Sequence, residues 1–83
     1  MKSHRLMQRA CPVPFCGNPA RHGHLMCRSC WGQVPLATQR TVNRSWRALR
    51  HALEVRSPEL RALVRSYGLA RDLAIAAAER SRP

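Results

Sequence analysis

No acidic residue occurs before Glu54. Residues 1–53 hold nine Lys and Arg without an opposing charge, whereas residues 54–83 set six cations against Glu54, Glu59, Asp72 and Glu79. Coding bias and solubility account for Arg being preferred to Lys, but not for 53 residues without an acid. The net charge of +11 over 83 residues makes a field that favours polyanions, acidic protein surfaces or anionic membranes. The same scarcity leaves no carboxylate beside the cysteines. With no Ser-His-Asp set and no glycine-rich phosphate loop either, the sequence speaks against an enzyme and offers no small-molecule substrate site.

Long apolar runs are missing too. No segment approaches the roughly 20 residues needed to cross a bilayer. The start, MKSHRLMQRACPVP, has charges but no apolar core or cleavage site of an export signal, so a cytoplasmic location is expected. Aromatic residues are few. Of Phe15, Trp31, Trp46 and Tyr67, only Phe15 stands outside the expected core, which disfavours recognition of single strands or RNA by base stacking. Bulk is also lacking: a chain of this length buries little surface and needs a staple or a partner.

Cys11, Cys16, Cys27 and Cys30 are the available staple, as two disulfides or as one metal site. A reducing compartment favours metal. Cys11 and Cys16 are spaced C-x4-C with Gly17 after the second thiol, where a tight turn calls for positive φ. Cys27-Arg-Ser-Cys30 supplies a second pair. The expected site is a closed, structural Zn2+ centre of four thiolates. His22 and His24 are rival ligands. They also fit the tip of a short hairpin, Arg21–His24, with Leu25 and Met26 on its return strand.

Knuckle, hairpin, CxxC and following helix come in the order of a treble-clef zinc finger. More narrowly, HLMCRSCWGQVPLATQRTVNRSWRAL resembles small zinc-binding proteins of tailed phages and prophages. The cysteines, Trp31, Val34-Pro35 and Trp46 carry that resemblance, which covers roughly residues 11–53. It implies a zinc fold, a phage-like origin and a bacterial host cytoplasm. It implies no particular chemistry.

Pro35 suits the first turn of a helix expected to run to about Arg56. Drawn at about 100° per residue, Val42, Trp46, Leu49 and Leu53 fall on one side, and Arg40, Arg44, Arg47 and His51 on the other. The basic stripe extends about 16 Å, with Asn43 and Arg50 beside it, and Arg and Asn are side chains suited to phosphates and base edges. Two partners fit such a face: nucleic acid, duplex DNA first, or an acidic groove on a host protein such as RNA polymerase or a defence nuclease. The stripe also fits a plain solvated surface. A membrane is disfavoured because the apolar face is narrow and is better used against a second helix.

Ser57-Pro58-Glu59 reads as a helix start and implies an αα-hairpin. Leu60, Leu63, Val64 and Tyr67 form its apolar face. Gly68 interrupts the pattern, and Leu69 and Leu73 then fall on the opposite side. Either a third helix begins after Gly68, or one long helix has two apolar faces. Leu69, Leu73 and Ile75 are the candidate protein interface, and the alanines of residues 73–78 permit close packing or a homodimer through this helix. The organisation expected is a basic arm over residues 1–10 and one domain over 11–83. That domain divides into a zinc knuckle (11–34), a basic amphipathic helix (35–56) and a C-terminal helical segment (57–83). The fold class is small, zinc-stapled and mainly α.

Overall fold

A computed structural model gives the fold, with residues 9–20 and 23–81 described. Five elements follow one another: β1 (Arg9–Ala10), β2 (Pro19–Ala20), α1 (Arg28–Trp31), α2 (Leu36–Val55) and α3 (Leu60–Arg80). The chain is mainly helical, with a two-stranded antiparallel hairpin near its start. Contacts divide it into two compact units, one drawn from Met1–Val34 and Ile75–Pro83, the other from Pro35–Ala74.

In the first unit β1 pairs with β2, Arg9 opposite Ala20 and Ala10 opposite Pro19. Arg9 and Ala10, read from sequence as part of a basic arm, are therefore strand residues; residues 1–8 lie outside those described. The hairpin is not where the sequence placed it. Its loop is the first thiol pair, closed by the Cys11 N–H donating to the Asn18 carbonyl at 2.8 Å and the Cys16 N–H to Val13 at 3.2 Å. Leu25 and Met26 bend toward the second pair and form no strand. The reason is local: Gly17 at φ 77° folds the knuckle back on itself. Val13, Ala20, Met26 and Val34 are buried in this unit, with Ala77 and Ala78 of α3.

Cys27 caps α1, its sulfur accepting from the Cys30 N–H at 3.5 Å. The second thiol pair thus opens a single helical turn of its own. Pro35 prevents that turn from running on, because it has no N–H to donate and its own backbone is extended at ψ 145°. The chain restarts as α2, and the Gln39 N–H already donates to the Pro35 carbonyl at 2.9 Å.

In the second unit α2 buries Val42, Leu49 and Ala52, with Thr38 and Ser45 half-buried on the same side. That 4-3-4-3 spacing differs from the expected stripe. Trp46 and Leu53 lie at its edge, 42% and 54% exposed. From that edge Trp46 leans on Tyr67 of α3, the pairing expected of the two apolar faces, with ring centres 5.3 Å apart and planes at 47°. Such a pair adds about 0.5–1.5 kcal/mol beyond its buried area.

The turn forms where Ser57-Pro58 predicts it. Arg56 takes the left-handed conformation (φ 53°, ψ 50°), its N–H donates to the Ala52 carbonyl, and the Ser57 hydroxyl accepts from the Glu59 N–H at 3.1 Å. Gly68 does not end a helix. α3 is continuous because its inward stripe passes from Leu60, Leu63 and Tyr67 to Ala70 and Ala74 at the same 3-4 spacing. Small side chains keep the phase that the leucines leave. Leu69 and Leu73 remain outside it, 63% and 64% exposed, as does Val64 at 52%.

Candidate metal centre and basic helix face

Four sulfurs meet in the first unit. Those of Cys11, Cys16, Cys27 and Cys30 all lie within 4.8 Å of one another, with Cys16–Cys27 at 3.6 Å and Cys16–Cys30 at 3.5 Å. None is in a disulfide. A metal–sulfur bond of about 2.3 Å in a tetrahedral site separates sulfurs by about 3.8 Å, so the cluster has the size a single ion requires. Cys11, Cys27 and Cys30 are buried and Cys16 is half-buried.

Backbone and side-chain donors already face these sulfurs. The Cys27 N–H points at the Cys11 sulfur at 3.4 Å, and the Asn18 amide approaches Cys27 at 3.9 Å. The Asn18 backbone N–H, helped by the neighbouring thiols, lowers the Cys16 pKa from 9.0 to about 6. The Cys30 N–H lowers that of Cys27. Cys30 moves the other way, pushed up to about 12 by burial and then by the sulfurs around it. Without an ion, the cluster settles its crowded charge by keeping Cys30 protonated; a cation removes that conflict and lets every sulfur ionise. Four sulfur donors leave no open position at such an ion, which suits a structural role.

Sequence reasoning gathers these four residues but misses Asn18, whose backbone and amide both serve the sulfurs. The only signal was its place directly after the knuckle glycine. His24 is exposed and outside the cluster. His22 lies outside the described residues.

The other candidate residues lie on α2. Arg40, Asn43, Arg44, Arg47, Arg50 and His51 are all exposed, on the side away from Val42 and Leu49. Arg40, Asn43, Arg44 and Arg47 line one depression of about 240 Å³. Among the described residues the ion pair in the helices is Arg71–Asp72 at 3.3 Å, and no acid reaches the three arginines of this depression. Among the described residues their charge has no ion-pair partner.

The proposed protein interface is divided. Leu69 and Leu73 share an exposed side of α3, and Leu73 lines a depression of about 140 Å³ with Ala37, Thr38, Thr41 and Ala70. Ile75 does not join them, because two residues on is about 200° round the helix, and it is half-buried. No described helix is long and apolar enough to cross a membrane.

No protein-family model, curated protein or solved structure matches the chain.

Proposed function

We propose that this chain is a zinc-stabilised, non-enzymatic protein that binds nucleic acid, duplex DNA above all, and acts as a regulator. The observation that carries the reading is the set Arg40, Asn43, Arg44 and Arg47, unpaired with acid and gathered on one exposed side of a 20-residue helix. Burial does not require them there, and a solvated face ordinarily mixes both signs of charge.

Zinc is the favoured metal because four thiolates in tetrahedral array suit it, iron being the rival that the same donors accept. A hairpin that carries the first thiol pair and a helix that opens on the second support a treble-clef-like arrangement. Residues 11–53 are the basis for proposing a phage or prophage origin and a bacterial cytoplasm.

The test is anisotropy of labelled duplex DNA with metal-loaded protein across a salt series. If three phosphates are engaged, affinity falls about 40-fold between about 50 and 200 mM salt. Binding that is absent at about 50 mM, or undiminished at about 0.5 M, overturns the reading.

The exposed Leu69–Leu73 pair supports a second reading, an adaptor or inhibitor that docks on an acidic host protein and uses those leucines as anchors. Nuclease-treated lysate separates the two. Stoichiometric recovery of one protein, unaffected by nuclease and lost in Leu73→Asp, favours the adaptor.

A further inference from the structure

We propose that α2 reads sequence as well as charge, and that Asn43 is the selecting residue, its target an adenine in the major groove of duplex DNA. The inference rests on the nucleic-acid reading above and deepens it.

Asn43 is the one uncharged member of the depression formed with Arg40, Arg44 and Arg47. Its place there has no account in the fold. Asn is a weaker helix former than Ala or Arg, the residue is exposed, and its side chain makes no hydrogen bond to the described residues. Phosphate oxygens only accept, so they use half of a carboxamide and are better served by a fourth arginine. The major-groove edge of adenine presents an N6–H donor beside the N7 acceptor, and one carboxamide satisfies both.

Position agrees with chemistry. Arg40 is three residues before Asn43 and Arg47 four after it, so guanidinium groups flank the amide one turn away on either side, about 10 Å apart along the axis. Around the axis all three arginines fall to the same side of Asn43, by about 40–100°, so they hold the phosphates that fix register while the amide beside them faces the bases. α2 spans about 30 Å, and a helix of ordinary diameter enters the major groove.

The test is selection from a randomised duplex library with metal-loaded full chain, followed by anisotropy on the selected site and its single-base variants. Wild type, Asn43→Ala and Arg44→Ala are compared. Alanine is the better helix former, so the first substitution does not threaten α2. The expected result is a selected A·T pair whose replacement weakens wild type about 5- to 150-fold. Asn43→Ala binds the selected site and its single-base variants alike, whereas Arg44→Ala weakens every duplex alike, keeps the base preference and shows a shallower salt slope. Salt-dependent binding with no base preference, or a preference that survives Asn43→Ala, overturns this inference and leaves the nucleic-acid reading standing. Absence of duplex binding at about 50 mM salt overturns the nucleic-acid reading itself.

Discussion

Replacing Cys30 with serine should weaken metal binding by two to three orders of magnitude. A structural four-thiolate centre binds with an apparent free energy of about 10–16 kcal/mol, so each sulfur accounts for about 2.5–4 kcal/mol if the four share equally. At about 1.4 kcal/mol per decade, loss of one sulfur is about a 10²–10³-fold loss of affinity. Cys30 is the sharpest choice. Its sulfur is buried, lies 3.5 Å from that of Cys16, and is the thiol most in need of a cation because burial holds its pKa near 12. Competition against a chromophoric chelator under reducing conditions measures the change. Trp31, directly after Cys30 and half-buried, gives a second readout by fluorescence in a Trp46→Phe background, since Trp46 belongs to the other unit. Serine at position 30 that binds within about twofold of wild type, or a His24→Ala variant that loses the ion, would refute the ligand set derived from the sulfur distances.

The backbone yields two substitutions of known sign. Gly68→Ala should stabilise the protein by about 0.5–1 kcal/mol, since α3 is helical there and an added Cβ would meet no atom within 4 Å. Arg56→Gly should stabilise by a similar amount by relieving the left-handed strain at φ 53°; urea unfolding checks both. In the metal-free, reduced chain Cys16 should be the first thiol alkylated, with a rate that rises through about pH 6, while Cys30 stays inert at neutral pH. Cys16 is depressed from 9.0, so the stability tied to its thiolate is complete above about pH 9 and is lost as pH falls through about 6, which a pH series of unfolding curves follows.

Much of this architecture is legible in the residues, and what is not has identifiable causes. Four cysteines in a chain too short for a large core pointed to one cluster, and the cluster is there. Ser57-Pro58-Glu59 located the turn because capping is a local bond between neighbours. The hairpin was misplaced because turn residues crowd both sides of Ala20, and the register that won depends on Asn18 meeting Cys11 across the knuckle. Gly68 misled for another reason. Large side chains dominate a reading of periodicity, so Leu69 and Leu73 outweighed Ala70 and Ala74, although the alanines are the buried pair. Trp46 reads as part of the face that meets the second helix, and its ring does meet Tyr67 there, although at the margin rather than buried.

Salt should act on this chain with two opposite signs, and the opposition separates folding from binding. Arg40–Arg44, Arg44–Arg47 and Arg47–Arg50 stand three or four residues apart on α2, and like charges so spaced cost about 0.2–0.5 kcal/mol per pair, about 1 kcal/mol together. Raising ionic strength from about 0.01 to 1 M shortens the screening length from about 30 to 3 Å and relieves most of that repulsion. Metal–sulfur bonds are too short for screening to matter. Unfolding curves of metal-loaded protein should therefore move to higher urea as salt rises, while duplex affinity falls over the same range. A fold that weakened with salt in step with binding would mean that the apparent salt dependence of binding reports unfolding. Arg40, Arg44 and Arg47 would then be surface charges whose repulsion the fold tolerates, with no polyanion to relieve it.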